Sequence, residues 1–199
     1  MGILQRLAQQ RFESQRKQEM IRISRLAKNH IVNNLPDGSI CHCLHFYYSV
    51  HRHGYDIPED AMEFRRDIYA FKDGAPHGWF TFAREVVAVL QELYGETTKE
   101  MVLCTAQATT QIRAEKRFSK FCEYISEKTS AINGFKYIKV KFDESSQTGQ
   151  LIIDSIVKDK RIILVDDITT SGRTLTSLKK QLLDAGAMSV DCFAIGMTV

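Results

Sequence analysis

Residues 162–174 read Ile162-Ile163-Leu164-Val165-Asp166-Asp167-Ile168-Thr169-Thr170-Ser171-Gly172-Arg173-Thr174. Four aliphatic residues in a row predict a central strand buried on both faces. Two carboxylates follow at its carboxyl end, where open α/β sheets bind their ligands. A short hydroxyl-rich loop with one glycine then leads into a helix. Backbone N–H groups at such a helix start, with the hydroxyls of Thr170, Ser171 and Thr174, offer a cradle for a phosphate. Gly172 lets the backbone approach the anion closely. The carboxylates repel a phosphate, so they call for a group with donors, such as a pair of ribose hydroxyls, or for a divalent metal. Phosphate beside a diol describes a ribose 5-phosphate. The bland alternative is that Asp166 and Asp167 end the strand and cap the next helix, with Thr and Ser as turn formers. Thirteen residues in a strand-to-helix setting argue against it.

Outward from this stretch the chain alternates strand and helix. Upstream lie a short apolar strand at Met101–Thr105, a polar loop from Ala106 to Ile112, and a helix over Arg113–Lys128 carrying Phe118, Phe121, Cys122 and Ile125. A strand over Phe135–Phe142 precedes the polar stretch Asp143–Gln150. Leu151–Val157 is apolar and reads equally as helix or strand. Downstream, Leu175–Ala185 is a helix closed by Gly186, and Ser189–Met197 a last strand. Such alternation predicts an α/β fold, a doubly wound, mainly parallel sheet with helices on both faces. Nearer the N-terminus, helices are expected over Glu59–Phe71 and Trp79–Tyr94. Trp79, Phe80, Phe82 and Tyr94 are expected in the core. Over Ile40–Val50, Ile40, Leu44, Phe46, Tyr48 and Val50 share one parity, which reads as a strand with one buried face.

Residues 3–33 read as one helix, with Ile3, Leu7, Phe12, Ile23 and Leu26 roughly on one stripe. Leu35-Pro36-Asp37-Gly38-Ser39 stops it. Residues 1–35 are therefore expected to form a helical arm and 36–199 the domain. The arm is basic: residues 1–30 carry +5, against +3 for the whole chain. It is expected to pack on the body, to join a second copy or protein partner, or to touch nucleic acid. Five cysteines, no apolar leader and no run long enough to span a membrane predict a soluble cytoplasmic protein.

The acidic pair and the loop after it resemble the phosphoribosyl-diphosphate (PRPP) signature of the type I phosphoribosyltransferases. The helix and turn Leu182-Leu183-Asp184-Ala185-Gly186-Ala187 before the last strand also fit. The resemblance is best to the competence-associated ComF-like group. There an upstream strand ends in a small polar loop followed by an Arg-bearing helix, as in Val102–Thr110 and then Arg113, Lys116 and Arg117. It implies the type I phosphoribosyltransferase fold, with Asp166 and Asp167 on the ribose hydroxyls. Thr169, Thr170, Ser171, Gly172, Arg173 and Thr174 would surround the 5′-phosphate. Pyrophosphate would rest on Thr105, Ala106 and Thr109, helped by Arg113, Arg117 and Lys72. Mg²⁺ would bind mainly through PRPP rather than to the protein. The implied activity is transfer of a phosphoribosyl group to an unidentified nitrogen acceptor, in nucleotide metabolism. The Asp143–Gln150 stretch, the expected closing loop, has two acids and no Lys or Arg. That leaves a second reading, a non-catalytic PRPP- or nucleotide-binding regulator.

Cys41, Cys43 and His45, with His51 and His53, carry zinc-ligand chemistry on one parity of a strand. Side chains at i and i+2 run parallel and nearly ~7 Å apart, so they converge poorly on one ion. A partly buried strand with surface histidines is the expectation.

Overall fold

The structure is a computed structural model that describes residues 3–50, 57–106, 110–143 and 148–199. In chain order it runs α1 (Ile3–Lys28), β1 (Ile31–Asn34), β2 (Ile40–Tyr47), α2 (Glu59–Lys72) and α3 (Pro76–Tyr94). A short 3-10 turn, Gly95–Glu100, leads to β3 (Met101–Thr105), α4 (Gln111–Thr129) and β4 (Ile132–Asn133). Then come β5 (Ile138–Asp143), β6 (Thr148–Ile153), a 3-10 turn at Ser155–Val157, β7 (Arg161–Thr169), α5 (Arg173–Asp184) and β8 (Ser189–Thr198).

Six strands form one sheet in the order β1-β2-β8-β7-β3-β4. Every neighbour pair is parallel except β1 with β2, which is antiparallel. β5 and β6 form a separate antiparallel hairpin. The sheet is doubly wound, as expected. Alternate residues of β7 feed two cores: Ile163 and Val165 meet α2, α3 and α4, while Ile162 and Leu164 meet α5. That two-sided burial is why the strand reads as an unbroken aliphatic run. Cys104 and Cys122 are buried in these cores, and Phe82 is too, whereas Trp79 and Tyr94 are half-buried and Phe80 is exposed.

Three expectations change. The N-terminal helix ends at Lys28, not at residue 33, and residues 31–34 add an edge strand. The side chain of Asn29 donates to the Arg25 carbonyl at 2.9 Å, and His30 Nδ1 donates to that of Ala27 at 2.8 Å. These bonds occupy carbonyls that a continuing helix would need. The apolar stripe of α1 does not exist as a unit. Ile23 is buried and Leu26 half-buried against the body, but Leu7 is 49% and Phe12 62% exposed. β2 is buried on both faces rather than one, since Cys41 and Cys43 are fully enclosed on one side and Leu44 is buried on the other, while Ile40 and Phe46 of the expected parity are exposed. With β1 on one side and β8 on the other, β2 is an internal strand. Its small thiols fill the narrow core under α5.

Candidate functional site

Strand order places the site. From β3 the chain crosses through α4 to β4 on one side, and from β7 through α5 to β8 on the other. The connections leave in opposite directions, so a crevice opens at the carboxyl ends of β3 and β7, the switch point where doubly wound sheets hold ligands. β3 pairs with β7 only as far as Thr105 with Val165. Beyond that, the Ala106 amide donates to the Val165 carbonyl at 2.8 Å and the two chains part.

β7 does not end at the acids, as the sequence suggested, but continues to Thr169. Asp166 and Asp167 therefore sit within the strand and face different surroundings. Asp166 is half-buried, and its charge acts on the Cys41 thiol. Burial, then the negative charge of Asp167, push its carboxyl up to about 7. Asp167 is buried and turns to the opposite wall, where Arg117 Nη1 of α4 donates to its Oδ2 and Lys72 Nζ, the end of α2, lies 3.8 Å away. Each carboxylate also accepts a backbone N–H: that of Asp167 on Asp166 at 2.8 Å, and that of Ile168 on Asp167 at 2.6 Å.

The loop after β7 is built by one conformational requirement. Gly172 caps α5 with φ +69°, in the left-handed region that favours glycine. Leu35 and Pro36 of the turn between β1 and β2 lie directly against it. Thr170, Ser171, Arg173 and Thr174 are exposed around the helix start, and Thr169 is buried beneath them. Thr170 Oγ1 is 2.9 Å from Thr198 Oγ1 at the end of β8. α5 begins at Arg173, two residues earlier than expected, so Arg173 and Thr174 form part of its first turn.

Across the crevice, Thr105 ends β3 fully buried, and its Oγ1 has no hydrogen-bond partner among the described residues. Arg117 Nε is likewise buried and unpaired. Arg113, in the first turn of α4, is exposed, and its amide donates to Thr110 Oγ1, the helix cap, at 3.3 Å. Thr109 lies outside the described residues. The fold thus gathers Thr105, Ala106, Lys72 and Arg117 around the acidic pair. Lys72 comes from a distant helix. Thr198, Leu35 and Pro36 escaped the sequence reading, because nothing local in them signals a site.

The crevice supplies hard oxygen donors: two carboxylates and an orphaned hydroxyl. Among the described residues no three His, Cys, Asp or Glu side chains converge as a metal cage. This donor set suits Mg²⁺, which keeps several waters and takes one or two carboxylates together with substrate phosphates. Cys41 and Cys43, with Sγ atoms 3.8 Å apart, are buried away from His45, which bonds to Glu85; His51 and His53 lie outside the described residues.

No helix among the described residues is long and apolar enough to cross a membrane. No curated protein matches the chain. A solved structure, a purine phosphoribosyltransferase from Pyrococcus horikoshii Ot3, is 20% identical, with 68% of this chain and 74% of that one covered and a TM-score of 0.36. Residues 82–195, more than half of the chain and the span from α3 to β8, match the family model of the phosphoribosyl transferase domain. The chain belongs to the phosphoribosyltransferase domain family.

Proposed function

We propose that the protein binds PRPP with Mg²⁺ and transfers its 5-phosphoribosyl group to a nitrogen acceptor, releasing pyrophosphate. The observation that carries this reading is the pairing of two opposite chemistries across one crevice. Asp166 and Asp167 stand beside a hydroxyl-lined helix start on the β7 side, and the cations Lys72 and Arg117 stand on the other.

In this reading Asp166 and Asp167 accept hydrogen bonds from the ribose 2′- and 3′-hydroxyls. The amides at the start of α5 and the hydroxyls of Thr170, Ser171 and Thr174 hold the 5′-phosphate, where the helix dipole favours an anion. Arg117, Lys72 and Arg113 face the diphosphate, with Thr105 and Ala106 lining its bed. Mg²⁺, when bound, neutralises charge on the diphosphate oxygens. The acceptor nitrogen lone pair forms the N–C1 bond as the C1–O bond to diphosphate breaks. The bonding electrons leave with pyrophosphate, and the acceptor's N–H proton passes to the leaving diphosphate or to solvent. Positive charge develops at the sugar in between, and two fixed carboxylates beneath it stabilise that state without reorganising. Residues 102–117 fit a ComF-like relative, and we place the protein in the cytoplasm.

The deciding experiment measures PRPP binding by calorimetry with Mg²⁺ present, and pyrophosphate release with a panel of bases. Binding lost in Asp166→Asn/Asp167→Asn, together with release from one base, supports the reading. Absence of PRPP binding in the unaltered protein refutes it. A second reading, a PRPP-binding regulator without turnover, is favoured by the capture of Asp167 by Arg117 and Lys72, which must let go before a hydroxyl can take their place. Binding without turnover across the panel selects that reading.

A further inference from the structure

A cavity of about 790 Å³ lies between the end of β2, the first turns of α2, and α3, with Glu19 and Arg22 of α1 at its rim. None of its lining residues belongs to the site described above. The wall is aromatic: the His45 ring stacks on Phe64 with centroids 4.6 Å apart, and Phe82 meets both rings edge-on.

Among the described residues the rest of the lining is acidic beyond what its own cations neutralise. Glu85, only 1% exposed, receives His45 Nε2 on Oε2 at 2.8 Å. Its Oε1 is paired with Arg22 Nη1 at 2.8 Å, so both oxygens of this buried carboxylate are engaged. The nearby Arg84 is taken by Glu19 at 2.6 Å. Glu63 and Asp67 stand four residues apart on α2, where like charges destabilise a helix. Neither has a cation at ion-pair distance among the described residues. Burial, then the charge of Glu63, raise the Asp67 carboxyl above its ordinary range. Two crowded carboxylates beside an aromatic wall suit a flat ring bearing positive charge or several N–H donors.

The cavity lies at the carboxyl end of β2, the same end of these parallel strands as the acidic pair. His45 pairs with Gly196 of β8, and Gly196 pairs with Ile168, the residue after Asp167. Two strand spacings are about 9.6 Å. Phe64 packs against Gly196, where an added Cβ would stand 2.9 Å from its Cζ. α2 itself runs from the cavity to Lys72, beside Asp167.

We propose that this cavity is the acceptor site, and that it selects amino-substituted or cationic flat heterocycles over acceptors bearing a carboxylate. The assignment rests on the transferase reading for the word acceptor, but its ligand class can be tested without turnover. Benzamidine and benzoate share a shape and differ in charge sign; adenine adds a neutral, amino-bearing ring. Calorimetry on the full chain should show benzamidine and adenine binding and no benzoate binding. Asp67→Asn and, separately, Glu63→Gln should each weaken benzamidine about tenfold, as loss of a charge-assisted contact does. PRPP affinity should stay unchanged in both variants. Benzoate binding as well as benzamidine, or benzamidine affinity unmoved in both variants, overturns the proposal. Benzamidine binding that responds to Asp67→Asn in a protein that binds no PRPP would uphold the ligand class and refute the transferase reading.

Discussion

Leu35 closes over Gly172: a Cβ built on that glycine would stand 2.6 Å from Leu35 Cδ2 and 3.1 Å from Pro36 Cδ. The turn between β1 and β2 is thereby the outer support of the loop that starts α5. Gly172→Ala meets two penalties. A non-glycine residue at φ +69° costs about 1–2 kcal/mol, and overpacking against Leu35 about 1–3 kcal/mol more. Urea unfolding should show the sum. Adding Leu35→Ala to that variant should return the packing share but leave the backbone share. Full recovery in the double variant would mean that the backbone conformation carries no cost.

Arg117 and Asp167 form a largely enclosed ion pair, and Lys72, at 3.8 Å, attracts the same carboxylate but is too far to donate the hydrogen bond that Arg117 supplies. Arg117→Met should destabilise the protein by about 3 kcal/mol, because it strands a buried charge. Asp167→Asn in the same background should recover much of that loss, since no charge then remains to be solvated. Thermal unfolding of the four species measures the coupling. An additive double variant would show that the two groups do not interact.

Asp166 carries a pH signature of definite sign. Its folded carboxyl is raised to about 7, above an unfolded Asp near 3.8, so the native state binds the extra proton between those values. Stability therefore falls as pH rises through that window, by up to about 1.4 kcal/mol per pH unit for one proton. Asp166→Asn should flatten the fall between pH 5 and 7, within about that slope. PRPP affinity should rise over the same range if the ionised carboxylate accepts the ribose hydroxyl. A stability profile identical in protein and variant would overturn the assignment.

Residues 5–18 of α1 are exposed on every side, whereas Ile23 and Ala27 are buried against the body. Removing residues 1–18 should move Tm by no more than about 2 °C, since little apolar area is uncovered. Ile23→Asp should lower it by several times as much, through an unpaired buried charge. A large loss on truncation would show that the exposed part contributes to the fold.

Local chemistry made the central strand and its loop legible. Ile162–Val165 are apolar because both sheet faces are covered, and Gly172 is required by its own backbone angle. The edge of the sheet was not legible. Four residues, Ile31–Asn34, carry no periodicity of their own, and β2 is buried on both faces, by Cys41 and Cys43 on one and Leu44 on the other, so no single parity marks it. Lys72 was suspected from its segment, but its approach to Asp167 depends on where α2 lands on the sheet.

From the order of its residues alone the chain declares an α/β sheet, two acids near a strand's end and a phosphate-ready helix start, because each is an interaction between near neighbours along the backbone. Only the folded arrangement decides that Arg117 and Lys72 hold Asp167, that Leu35 supports Gly172, and that Glu85 meets His45 forty residues away. Those contacts join elements far apart in the chain. Their partners are chosen by which helix covers which strand, and no short stretch of sequence encodes that choice.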